Sequence, residues 1–179
     1  MARDIILNLA VSLDGFICDE DGDFAWIGGQ GDGAADTAEA FDFDAFLASC
    51  DTVVMGRKAY DDCGISHISG AAGKRFLVAT HTPRPPAGNV TFLSGDVVGQ
   101  VLALKRRPGG HIWLFGGGEL ASALIRAGAV DRFIVGILPV IRGGGRRLFR
   151  EGLPPLELRL DRCTVADGIP ILEYSRRER

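Results

Sequence analysis

The run Ile5-Ile6-Leu7-Asn8-Leu9-Ala10-Val11-Ser12 is almost continuously apolar and closes on Asp14-Gly15, which predicts a buried strand running into a turn. An acidic, glycine-rich loop over 18–36 follows, with Phe24, Trp26 and Ile27 in its middle; loops of this length are more often functional than decorative. Phe41, Ala45, Leu47 and Ala48 stand near helical spacing and predict a helix over 38–50, stopped by Asp51 before a strand over 52–55. Further strands are expected over 75–80 and 90–93. Asp96 is a candidate N-cap for a helix over 97–106, whose last turn gathers Lys105, Arg106 and Arg107 where a helix C-terminus favours cations. A buried strand over 112–115, the Gly116-Gly117-Gly118 break and a helix over 119–127 come next, then a strand over 132–138. Strand, helix and strand again imply a parallel βαβ unit. In the tail, Leu156, Leu158 and Leu160 alternate with Glu157, Arg159 and Asp161, and Asp167-Gly168 leads into a second apolar run over 169–174. That is an antiparallel hairpin with one wet face. With no internal repeat and no long linker, residues 1–179 read as one α/β domain.

Charge changes this picture more than bulk composition does. The formal net charge of −3 excludes a dedicated nucleic-acid binder, which needs many cations facing phosphates. The sum conceals a split: Met1 to Ser66 carries 3 Lys+Arg against 14 Asp+Glu, and His67 to Arg179 carries 17 against 9. Two of the three cations in the acidic part are the neighbours Arg57 and Lys58. Cys18, Cys50, Cys63 and Cys163 form no C-x-x-C pair, and with three histidines in the chain no structural zinc site is expected. The first apolar run is too short and wrongly flanked for a signal peptide or a membrane span, so a cytoplasmic protein with reduced thiols and no membrane partner is expected.

Candidate chemistry gathers where strands end. Gly116, Gly117 and Gly118 let the backbone turn sharply between strand and helix, leaving helix N-terminal amides open to an anion such as a phosphate. A side chain at Gly117 is expected to occupy that anion's space without disturbing the fold. Gly56-Arg57-Lys58 follows another buried strand, placing a fork-shaped cation where open α/β sheets bind ligands. Thr80 and His81 follow a third. Gly143-Gly144-Gly145, flanked by Arg142, Arg146 and Arg147, offers a second cup for an anion and reads by preference as a structural turn. No G-x-S-x-G, HExxH or cysteine-based motif occurs, which removes the common hydrolase routes and leaves chemistry supplied by a cofactor.

Taken together, Val11-Ser12-Leu13-Asp14-Gly15-Phe16-Ile17, Val54-Met55-Gly56-Arg57-Lys58, Phe115-Gly116-Gly117-Gly118-Glu119-Leu120, Val130 to Val140 and Gly143 to Phe149 resemble the dihydrofolate reductase-like superfamily. They are most similar to the C-terminal reductase domain of the riboflavin-pathway deaminase-reductase. The resemblance implies a three-layer α/β fold with a mostly parallel central sheet, NADPH bound across its carboxyl ends, and a homodimer. It implies that Gly56, Arg57 and Lys58 contact cofactor phosphates, Thr80 and His81 the adenosine side, and Gly116, Gly117, Gly118, Glu119 and Leu120 the pyrophosphate. It places Trp26 near the substrate, with Asp14, Asp42 or Asp44 orienting a ring nitrogen or relaying a proton. The deaminase half, with its H-x-E and P-C-x-x-C, is missing, so a bifunctional riboflavin enzyme is excluded. The expected activity is a reductase of a small pterin- or ribosylaminopyrimidine-type heterocycle. A non-catalytic nucleotide-binding or regulatory module and a true dihydrofolate reductase stand as alternatives.

Overall fold

The computed structural model describes residues 3–29, 31–64, 68 and 73–177. Ten strands and four helices are assigned among them: β1 (Ile5–Ser12), β2 (Phe16–Cys18), α1 (Phe43–Ser49), β3 (Cys50–Gly56), α2 (Arg57–Cys63), β4 (Arg75–Ala79), β5 (Val90–Leu93), α3 (Val97–Lys105), β6 (His111–Gly116), α4 (Gly118–Arg126), β7 (Arg132–Leu138), β8 (Arg146–Arg147), β9 (Leu158–Ala166) and β10 (Ile169–Arg176). Eight of the strands form one sheet in the order β5-β4-β3-β6-β1-β7-β10-β9, and β2 pairs with β8 apart from it. The first six strands of that order run parallel, and β10 returns antiparallel against β7 and β9.

The apolar runs form this sheet because its central strands bury both faces, so continuous hydrophobicity is satisfied there. Ile5, Leu7, Val54, Leu114 and Phe133 pack with Val101 and Leu104 of α3 and with Leu120, Leu124 and Ile125 of α4. On the other face Ile6, Val53, Met55, Trp113 and Ile134 pack with Phe46 and Leu47 of α1, and Ala59 and Tyr60 of α2 join them. Helices on both faces complete a three-layer α/β fold. At the far edge, Asp167 (φ +54) and Gly168 (φ +73) make the two-residue turn between β9 and β10, a conformation that suits the right-handed twist of a hairpin.

Two expectations need correction. The first helix begins at Phe43, well inside the expected 38–50, because Asp42 caps it: its Oδ1 accepts from the Ala45 amide at 2.8 Å. That frees Phe41 to lie against the aromatic cluster rather than inside a helix, 6.1 Å from the Phe46 ring. Between the turn at Asp14-Gly15 and the loop expected over 18–36, where no element was expected, stands β2, held by partners more than a hundred residues away in β8.

Candidate active site

A cleft of about 1510 Å³ opens at the carboxyl ends of the parallel strands, lined from β1, β3, β4, β6 and β7 and from the starts of α2, α3 and α4. The chain passes from β1 to β3 leaving one place free, fills it later with β6, and then crosses to β7 on the far side of β1. Such reversals leave a crevice, because neighbouring connections depart to opposite faces. Glycines line its narrowest part. A Cβ on Gly56 would stand 3.8 Å from the Gly116 carbonyl oxygen, and one on Gly117 would stand 3.6 Å from Gly56 Cα, so two strand ends meet there with little side chain between them. Gly117 has φ +91 and caps α4 without any side-chain hydrogen bond, leaving the first amides of that helix unclaimed by a cap.

Cations surround this part of the cleft. Arg57 lies 3.1 Å from Asp61 one turn on in α2, and Lys58 is exposed beside it. His81 Nε2 is 3.7 Å from Glu119, which also lies 3.8 Å from Arg150. Arg84 sits 5.8 Å above the Phe92 ring. Thr80 is buried, with its hydroxyl spent on the turn: it donates to the Thr82 carbonyl at 3.1 Å and accepts from the Thr82 amide at 3.2 Å. Gly56, Arg57, Lys58, Thr80, His81, Gly116, Gly117, Glu119 and Leu120 therefore all line one cleft. Gly118 does not line it; a Cβ there would run into the Arg147 carbonyl oxygen and stand 3.0 Å from that of Leu148, so this glycine is a packing requirement of β8.

The second half of the cleft is aromatic. Register puts Asn8 and Ala10 of β1, Trp113 and Phe115 of β6, Gly136 and Leu138 of β7 and Ile171 of β10 on the α1 face, and all of them line the cleft. Phe41 and Phe43 close over them, Phe43 meeting Trp113 edge-on at 6.0 Å and Trp113 meeting Phe115 at 5.2 Å.

Of the residues expected at the substrate, Asp14, Asp42, Asp44 and Trp26 do not line the cleft. Asp14 faces the Gly143 turn, where Ser12 Oγ donates to it at 2.6 Å and the amides of Arg142 and Gly143 donate at 3.1 and 2.8 Å. The Ser12 hydroxyl, then those amides, lower its pKa from 3.8 to about 2, which makes it a fixed carboxylate and a poor proton donor. The anion cupped by the second glycine cluster is thus the chain's own. Asp42 is a helix cap, and Asp44 is exposed in the first turn of α1. Trp26 packs beneath Arg142, whose guanidinium carbon lies 5.3 Å from the ring. The cleft residues that sequence reading passed over are Asn8, Phe41, Phe43, Trp113 and Arg146; an asparagine inside an otherwise apolar strand was the available signal. Arg146 reaches the cleft by pairing with Asp62 at 2.6 Å and donating to the Glu20 carbonyl at 2.8 Å.

Residues 3–168 match the family described as the RibD C-terminal domain. The chain belongs to the RibD C-terminal domain family. A Bacillus subtilis relative, the uncharacterised protein YwjB, is 33% identical over 165 residues, covering 89% of this chain and 90% of that one. A putative riboflavin biosynthesis protein of Shewanella sp. PV-4 has the same fold, with a TM-score of 0.78 at 24% identity over 99% of this chain and 100% of that one. The dihydrofolate reductase of Enterococcus faecalis complexed with NADP(H) and RAB-propyl also shares the fold, with a TM-score of 0.69 at 16% identity over 99% of this chain and 100% of that one. In this RibD C-terminal domain no described group of His, Cys, Asp and Glu is arranged to hold a metal ion, and among the described residues no helix is long and apolar enough to cross a membrane.

Proposed function

We propose that the protein is an NADPH-dependent reductase of a small heterocycle. The observation that carries this reading is the two-part cleft: a glycine-lined, cation-flanked end beside an aromatic chamber, both at the carboxyl ends of one parallel sheet. The first part fits a dinucleotide. Gly56 and Gly117 permit close backbone approach, the uncapped amides of α4 favour an anion, and Arg57, Lys58 and Arg84 supply positive charge. The same fold holds NADP(H) in the Enterococcus faecalis reductase.

NADPH, when bound, supplies the hydride; the chain's part is placement and exclusion of water. Arg57 and Lys58 hold phosphate charge, Thr80 fixes the turn that presents His81, and Trp113, Phe115 and Phe43 stack a planar substrate. Asp14, Asp42 and Asp44 do not line the cleft, so none of them relays the transferred proton. The lack of an acid among the described residues of the aromatic side also favours the second reading, a module that binds the nucleotide without turnover. The family resemblance also favours a homodimer, with the exposed β9 edge as the candidate contact, and light scattering tests it.

A fluorescence titration with NADPH and NADH decides between these. Binding of NADPH in preference to NADH is expected, and Arg57→Ala should weaken it about tenfold, the loss of one charge-assisted contact. No NADPH binding at millimolar concentration overturns the reading. Tight binding without NADPH oxidation in the presence of dihydrofolate, pterins and the riboflavin-pathway pyrimidine selects the non-catalytic module.

A further inference from the structure

The side-chain amide of Asn8 stands out among the polar groups of the interior. Asn8 is 8% exposed, lines the cleft, and lies in the middle of β1 between the apolar neighbours Leu7 and Leu9. Its backbone carbonyl accepts from Trp113 Nε1 at 2.9 Å, but its Nδ2 is fully buried with no hydrogen-bond partner. A buried amide left unpaired destabilises a fold, because it has given up water and gained no partner. Leucine has nearly the same shape and would fill an apolar strand better. A carboxamide at this place makes physical sense when a ligand completes it.

The surroundings say what kind of ligand. Around Asn8 the walls are Phe41, Phe43, Trp113, Phe115, Leu138 and Ile171, rings and branched chains that stack a flat molecule. Every one of them is uncharged. The cations of the cleft lie elsewhere: Arg57, Lys58 and Arg84 follow β3 and β4, which stand on the opposite side of β6 from β1, β7 and β10. Arg146 is engaged by Asp62 and by the Glu20 carbonyl. Glu173, in the same register row two strands away, does not line the cleft and faces Arg132 at 3.5 Å. A phosphate placed in the aromatic chamber would lose its hydration and gain no counter-charge from the described residues there, which is strongly unfavourable.

We infer that the aromatic chamber binds an uncharged, planar, carbonyl-bearing ring that accepts a hydrogen bond from Asn8, and that it rejects phosphorylated substrates. This rests on the reductase reading for the identity of the other half of the cleft, and it narrows the substrate away from the phosphoribosyl class expected for a riboflavin-pathway reductase. Asn8 is a specificity-determining residue: the ring stacks on apolar walls, and the amide fixes which edge of it points into β1.

The test uses the full chain and a matched pair of fluorescent probes, 4-methylumbelliferone and its phosphate monoester, titrated in mildly acidic buffer where the free hydroxyl is protonated. The two differ only by the phosphate, and both carry the conjugated ring carbonyl. The unesterified ring is expected to bind at least tenfold more tightly than the ester. In Asn8→Leu its affinity should fall about tenfold, one lost hydrogen bond to a buried donor, while the melting temperature holds or rises because an unpaired buried amide has been removed. Equal or tighter binding of the ester, binding of neither probe, or undiminished binding by a folded Asn8→Leu overturns the inference. NADPH affinity, measured separately on the same samples, keeps the two readings apart: ring binding without NADPH binding sinks the reductase and leaves the chamber's selectivity standing.

Discussion

Gly116, Gly117 and Gly118 form one motif in the sequence and do different jobs in the fold, which makes single alanine substitutions informative. At Gly118 the backbone φ is ordinary, but a Cβ would strike the Arg147 carbonyl oxygen and stand 3.0 Å from that of Leu148. Both obstacles are main chain of the β8 segment, so a neighbouring side chain cannot swing away. Overpacking of this kind destabilises by about 1–3 kcal/mol, partly offset by alanine's advantage over glycine in a helix of up to about 1 kcal/mol. A net loss of about 1–2 kcal/mol should lower Tm by about 2–8 °C for a chain of this length. Gly117→Ala meets nothing closer than Gly56 at 3.6 Å, yet must hold φ +91, where an L-residue is less stable by about 1–2 kcal/mol. A valine at Gly117 therefore does not leave the fold untouched, contrary to the expectation from sequence. Gly144→Ala is the control, since its Cβ meets nothing within 4 Å and its φ is not in the left-handed region; its change should stay within about 0.5 kcal/mol. Thermal unfolding followed by circular dichroism, with an NADPH titration on each variant, reads all three. Gly117→Ala should weaken NADPH binding, because Gly117 lines the cleft, and Gly118→Ala should not. Melting of Gly118→Ala within a degree of Gly144→Ala would refute the packing role of Gly118.

Asp14→Asn should lower Tm at neutral pH. Because the folded-state pKa of Asp14 is depressed to about 2, its contribution is present above the ordinary value of 3.8 and is lost as pH falls from there towards 2, so wild type and variant converge at the acid end of a pH series. Persistent separation at that end would show that Asp14 acts through shape and not through charge. Lys74, 9% exposed, donates to the carbonyls of Leu47 and Cys50 at 2.5 and 2.7 Å and so closes the end of α1; Lys74→Met should destabilise by about 2 kcal/mol in urea unfolding, and an unchanged midpoint would refute the role. Cys163 is the exposed thiol, whereas Cys18 and Cys50 are buried and burial lifts the Cys63 thiol to about 11. Brief alkylation of the native protein should therefore mark Cys163 alone, as peptide mass spectrometry would show.

The strands were readable in advance because their signal is local. Ile5–Ser12, Val90–Leu93 and Arg132–Leu138 form where the apolar runs stand, and the Asp167-Gly168 turn carries its own conformational preference. Glycine at the ends of β3 and β6 pointed to the cleft for the same reason, since a bare backbone is written in the residue itself. The acids could not be read that way. Asp14 is a fixed anion because the Ser12 hydroxyl and then the amides of a loop 128 residues later converge on it, and Asp42 is a cap only because the helix starts beside it. The layered α/β architecture and the cleft-lining Gly56, Gly116 and Gly117 were legible in the sequence alone, as properties of backbone and periodicity. Only the tertiary structure decided that Trp26 stands outside the cleft, that Gly118 belongs to packing, and that Asn8 is the unpaired polar group of an aromatic chamber, because partners drawn from strands far apart in the chain become neighbours only when the sheet is assembled.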